Sequence, residues 1–284
     1  MDEINDKYSN QISVEFNVEC TNVGWENENQ ENEVCHLSLS KQGGDKIWTV
    51  SSKFVIGADG ASSKIREVMQ QKKEKRFFVS TFEDKNVRVY KTLPMHFPPN
   101  NKQWRKDLNY SARTKSDINL DALPTKEGGY LGAILYRPWD DRLNKMKDVN
   151  EARVFFDTIF PMFSTVVKDD DLEEFVRKPA SKLPKFMFCG PALHKGKSTV
   201  LIGDTIHTVK PYFGQGVNAA FEDVKILHSS LDKADGICSF FSYIYCRHLF
   251  VHSFVYLFTL CLLIHLHITQ VHIFNHPRQL TLAI

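Results

Sequence analysis

Two short stretches carry the residue types that could do chemistry. In "FVIGADGASSKIR" an apolar run ends in Asp59-Gly60, with Ser62, Ser63 and Arg66 just beyond. In "VLIGDTIHTVKPYFGQGVNAAFEDVKIL", Val200 to Leu227, an apolar run ends in Gly203-Asp204, and a loop with Pro211, Gly214, Gln215 and Gly216 enters a run with helical spacing. Glycines at 214 and 216 allow a backbone to approach a planar or anionic group closely, and amides at a helix start favour negative charge. Here those of Val217 and Asn218 are expected to project. An aspartate at a strand end can accept from a ribose or other ligand hydroxyl. For the first stretch two readings stand side by side: a phosphate- or ribose-binding turn, and a plain strand-turn-helix in which Asp59 caps the helix. The second poses the same choice between a turn joining core elements and a cradle for a charged ligand.

Other candidates fail on context. Gly196-Lys197-Ser198 imitates a phosphate-binding loop, but Gly190 lies one residue too far upstream and an apolar strand follows. Gly214 to Ala219 fits a dinucleotide fingerprint as a string, yet the preceding strand ends at Asp204, ten residues before the glycine that should follow it directly. His207 has no acid or nucleophile placed for a triad and is read as structural or loop-positioning. Phe155, Phe156, Phe160 and Phe163 recur at helical spacing and are read as core. Tyr212 and Phe213 are the candidates for touching a ligand, with a core role as the alternative.

The elements that must position these groups follow from periodicity. Alternation from Ile12 to Ile56, broken by polar turns, predicts a strand meander feeding a strand over Lys53 to Ile56. The run after Gly60 predicts a short helix with a basic end. Further β-rich runs between Phe77 and Pro138 predict a second, largely antiparallel sheet, and "NEARVFFDTIFPMF" and "DDDLEEFVRK" predict helices. The boundaries expected are a partial cofactor domain over 1–76, a substrate-domain sheet with helices over 77–178, a return to the first domain over 179–236, and a hydrophobic tail over 237–284. The fold class expected is mixed α/β: a Rossmann-like domain, incomplete, with an inserted, mostly antiparallel sheet.

Composition bounds the partners. Of 284 residues 42% are hydrophobic, enough for a sizeable core, while 36 basic residues against 34 acidic give no reason to expect nucleic acid. After Asp235 the only charged residues are Arg247 and Arg278, so the rest of the chain carries 34 of each sign. Six cysteines without a CxxC pair read as reduced thiols in an intracellular protein, with no metal site supported. The polar, acidic start "MDEINDKYSN" has no signal-peptide pattern.

The pair "GADGASSKIR" and "LIGDTIHTVKPYFGQGVNAAFED" resembles the two downstream signatures of the FAD-dependent aromatic hydroxylases, in the same order and with a comparable sheet-rich segment between them. The resemblance runs from about Ile12 to Leu227. It implies FAD and NADPH as cofactors, molecular oxygen as co-substrate, and hydroxylation of a small aromatic amine such as kynurenine. It also implies roles for the residues. Asp59, Gly60 and Arg66 would serve the diphosphate-ribose region and the engagement of NADPH, and Gly203 and Asp204 the ribityl chain or ribose. Pro211 to Gln215 would form the loop over the flavin ring, and the amides of Val217 and Asn218 would face its N1-C2 edge beyond Gly216. Thr205-Ile206 departs from the two small residues usual at that point, which bears on close packing against the flavin.

The resembled family begins with a strand-GxGxxG-helix unit, and nothing before Ile12 supplies one, so the main adenosine-diphosphate grip is expected to be absent. The chain in this respect resembles the middle of such an enzyme. From His248 to Pro277 run 30 uncharged residues, long enough for a membrane span, although His252, His265 and His267 oppose that reading. By resemblance an anchor here would lie at the mitochondrial outer membrane; a non-native end is the alternative. Beside the monooxygenase stand a hydroxylase of a phenol or quinone precursor and a non-catalytic, membrane-associated binding protein.

Overall fold

The structure is a computed structural model that describes residues 6–28, 30–41, 44, 46–83, 85–96, 104–105, 107–126, 128–211 and 214–233. The chain forms two compact units, one of residues 1–81 with 186–284 and one of residues 82–185.

In the first unit β1 (Val18–Glu26), β2 (Val34–Lys41) and β3 (Ile47–Ser52) form the expected antiparallel meander. It does not simply feed the next strand: β4 (Val55–Gly57) joins a different sheet, beside a strand from late in the chain, Thr199–Leu201. Helix α1 (Lys64–Gln71) follows and buries Ile65, Val68 and Met69. The basic run expected at its end falls beyond it, since Lys72 is the C-cap and Lys73 turns left-handed at φ 51°. Lys72 instead lies over the Trp25 ring and pairs with Glu28. Strand β5 (Phe77–Phe82), grouped by sequence with the later sheet, belongs to a three-stranded sheet of this unit.

The second unit holds β6 (Val89–Met95), β7 (Tyr110–Arg113), β8 (Asn119–Pro124), β9 (Tyr130–Tyr136) and, after the helices, β10 (Ser181–Lys182), in the order β10-β6-β9-β8-β7. All of these pairings are antiparallel. Against the sheet lie α2 (Asp141–Asn144), α3 (Val149–Ile159), α4 (Pro161–Ser164) and α5 (Asp169–Arg177). The chain turns at Phe160, before Pro161, so one expected helix becomes two. Phe155, Phe156, Phe160 and Phe163 are buried in mutual edge contacts, the core role that their spacing indicated. Lys91, also buried, donates to the carbonyls of Phe175 and Val176 at the end of α5.

The chain re-enters the first unit with β11 (Phe186–Pro191), β12 (His194–Lys195), β13 (Thr199–Leu201), a 3-10 turn (Gly203–Thr205), β14 (His207–Thr208) and α6 (Gln215–Asp232). β13 pairs parallel with β4, Val200 opposite Ile56 and Leu201 opposite Gly57. The core here gathers Val55, Ile65, Met69, Cys189, Leu201 and Ile206.

Candidate functional site

The parallel pairing of β4 with β13 brings the two glycine-aspartate turns out of the same end of one small sheet. In open α/β sheets that end is where ligands bind. The fit is close at Gly57, where a Cβ would lie 2.6 Å from Leu201 Cδ2 and 3.2 Å from Ile65 Cδ1. Any larger residue would have to displace the ends of these two side chains.

Asp59 adopts the capping arrangement. Its Oδ2 accepts from the amides of Lys64 at 2.8 Å and Ile65 at 3.4 Å, while Ser63 Oγ accepts from Arg66 N at 3.0 Å. The start of α1 is thus occupied by the chain's own side chains. A cavity of about 670 Å³ lies beside Asp59, lined also by Asn17, Thr21, Ser62 and Lys64.

Thr205 joins the two turns. Its buried hydroxyl donates to Asp59 Oδ1 at 3.2 Å and accepts from Gly60 N at 3.1 Å. Arg66 clamps the same junction, donating through Nη1 to the carbonyls of Thr205 at 2.9 Å and Gly60 at 3.4 Å, and through Nη2 to that of Ala61 at 2.5 Å. Asp59, Gly60 and Arg66 therefore meet the Gly203–Thr205 turn directly. Below it, burial pushes the Cys189 thiol up to about 12, against the opposing charge of Arg66.

The second turn is set against α6. Gly203 has φ +66° and donates its amide to Asp223 Oδ2 at 2.7 Å. Asp204 Oδ1 stands 3.9 Å from the point where a Cβ on Gly216 would sit, so the carboxylate lies beside the helix start. Gly214, the N-cap, is left-handed at φ 63° and donates to the Pro211 carbonyl at 3.2 Å. Among the described residues no side-chain hydrogen bond caps Gly214 and no acid stands in the first turn of α6, unlike α1. Of the amides at the start of α6, that of Gly214 goes to Pro211, while those of Gly216 and Val217 lie in the first turn, ahead of the point where an α-helix supplies carbonyl partners; Asn218 is one position further in, where it ordinarily does. Tyr212 and Phe213 lie outside the described residues.

Thr205 and Asp223 escape a reading by motif, while His207, read as structural, is given the acid that its spacing did not show. Thr205 figures in the sequence only as a departure from small residues, whereas here it links the turns. His207 is buried with Nε2 2.6 Å from Asp223 Oδ2. Burial pushes the imidazole down, but the bond to Asp223 and the charges of Asp223 and Asp204 outweigh this and hold its pKa above the ordinary value. Asp223 had one legible signal: it precedes Ile226 and Leu227 by three and four, which puts an acid on the buried face of the helix.

Comparison with known proteins bears on the family and the fold. The family described as FAD binding domain matches residues 5–234, and the chain belongs to this family. Among individual relatives, kynurenine 3-monooxygenase of Saccharomyces cerevisiae is 29% identical over 231 residues, covering 78% of this chain and 48% of the relative. That of Flavobacterium johnsoniae is 32% identical over 184 residues, covering 63% and 39%. The chain spans about half the length, or less, of these relatives. Klebsiella pneumoniae HpxO, solved with FAD and uric acid, aligns with a TM-score of 0.51 at 14% identity, over 79% of this chain and 52% of that one. CmlS, a flavin-dependent halogenase, aligns with 0.51 at 16% identity, over 84% and 41%. At such identities the likeness is one of fold. Among the described residues no helix is long and apolar enough to cross a membrane; residues 237–284 lie outside them.

Proposed function

We propose that the chain carries the flavin-binding part of an FAD- and NADPH-dependent monooxygenase that hydroxylates a small aromatic amine, kynurenine to 3-hydroxykynurenine. The observation that supports this most is the contrast between the two helix starts. That of α1 is filled by Asp59 and Ser63, whereas among the described residues no side-chain bond caps Gly214 at the start of α6, which stands beside Asp204. A helix start without a cap, entered through two glycines, suits a planar group carrying negative charge.

In this reading Asp204 accepts from a ribityl or ribose hydroxyl, the loop Pro211 to Gln215 covers the ring, and the first-turn amides of α6 at Gly216 and Val217, rather than that of Asn218, face its N1-C2 edge. Asp59, Gly60 and Arg66 shape the turn nearest the diphosphate-ribose and NADPH; because Asp59 already caps α1, its lone pairs left over from that role are the ones offered to a ligand. Bound FAD supplies the transfer of electrons from NADPH and the activation of oxygen. The protein's part is to orient the ring, exclude water and stabilise charge at the helix start. Tyr212 and Phe213 are proposed to stand next to the substrate.

The experiment is a titration of the full chain with FAD, followed by flavin fluorescence, and then NADPH oxidation with and without kynurenine. FAD binding with kynurenine-stimulated oxidation is expected, both weakened because residues 1–284 carry no strand-GxGxxG-helix unit. Binding of FAD without that stimulation would remove the substrate and leave a hydroxylase of another ring, such as a phenol. Failure to bind FAD would overturn the reading in favour of a non-catalytic binding protein. Association with the mitochondrial outer membrane through residues 237–284 is the reading of the tail; recovery of the expressed chain in the soluble fraction would discard it.

A further inference from the structure

We infer that Asp223, acting with His207, is the positioning residue of the candidate flavin site. The inference rests on the flavin reading of that site. One carboxylate oxygen, Oδ2, takes the Gly203 amide at 2.7 Å and the His207 Nε2 at 2.6 Å. Gly203 begins the turn that presents Asp204, and His207 begins the short strand that follows that turn. Asp223 itself is in the third turn of α6, the helix beside whose start Asp204 stands. The turn and the strand after it are therefore both tied to that helix.

The chemistry makes the tie a firm one. Asp223 is 2% exposed and His207 6%. A buried carboxylate is costly unless it is bonded, and bonds to a charged acceptor are about twice as strong as neutral ones. The groups facing His207 are Asp223 and, at longer range, Asp204, and together they favour the imidazolium despite burial. Release of Asp223 would free the left-handed Gly203 turn, and with it the approach of Asp204 to Gly216. A ligand that spans Asp204 and the helix start needs that approach held fixed.

The test compares the full chain with Asp223→Ala, Asp223→Asn and, as a control, Ser230→Ala. The control removes another buried bond of α6, from Ser230 Oγ to the Ile226 carbonyl at 2.6 Å, at a distance from the turn. FAD affinity is read by fluorescence and the His207 pKa by NMR. Asp223→Ala is expected to weaken FAD roughly tenfold, the scale of one charge-assisted hydrogen bond. Asp223→Asn, whose amide oxygen can still accept from Gly203, should recover most of that loss while the His207 pKa falls. Ser230→Ala should leave FAD affinity unchanged. If Asp223→Ala binds FAD as tightly as Ser230→Ala, or if Asp223→Asn loses as much as Asp223→Ala, the positioning role is wrong and the flavin site stands. If the unaltered chain binds no FAD, the flavin reading falls and this inference with it.

Discussion

The Thr205 hydroxyl both donates to Asp59 and accepts from Gly60, so a side chain of the same shape without it leaves polar groups on both turns unmatched. Thr205→Val is expected to cost about 1–3 kcal/mol in urea unfolding, with Thr205→Ser close to the original. Residue type gives little warning of this, because a threonine after Gly-Asp is chemically ordinary until Asp59 is brought to it. His207 makes a second prediction. Its pKa in the folded chain is raised, so its contribution is complete below the unfolded value of about 6.5 and is lost as pH rises through the higher folded value. Stability measured from pH 6 to 9 should fall in the original chain and be flatter in His207→Gln. Cys189, fully buried and with its pKa pushed up to about 12, is expected to resist iodoacetamide at pH 8 until the chain unfolds.

Among the elements, α1 and α6 were both legible as helices after a glycine turn, but not which of the two starts was already occupied. That depends on where Asp59 points, a matter settled by the contact with Thr205 rather than by spacing. The register of α6 misleads in the same way, since Val217, Phe221 and Val224 are exposed while Asp223 is buried. Packing between elements is sharpest at Gly57. Gly57→Ala would press on Leu201 and Ile65, and a loss of about 1–3 kcal/mol is expected from overpacking. Lys195, on β12, joins Glu28 at 2.7 Å and Glu74 at 2.8 Å. Lys195→Met leaves two acids without that cation. A loss of about 3 kcal/mol at pH 7 is expected, at the low end for buried pairs because Glu28 is 38% exposed. The Lys195 bond is the first cause holding the Glu28 pKa below its ordinary value, so the pair's contribution is present above that ordinary value and lost as pH falls through the lower one. The variant's deficit in guanidinium unfolding should therefore shrink toward pH 4.

For the molecule as a whole, alternation made the meander and the antiparallel sheet readable, and two glycine turns flanking a sheet-rich segment pointed to an insertion. The allegiance of β5 was not readable, because a strand's partner is fixed by what lies across from it. Asp59 and Thr205 meet although they are 146 residues apart in sequence. During synthesis at 5–20 residues per second, β4 would wait about 7 to 30 s for β13 to follow it out of the ribosome. Throughout that interval its hydrogen-bonding edge has no native partner, and an open edge invites pairing with another chain. The parallel pair that assembles the candidate site is thus also a point at which a nascent chain of this protein is open to mispairing, and a chaperone that shields a single short strand would act there.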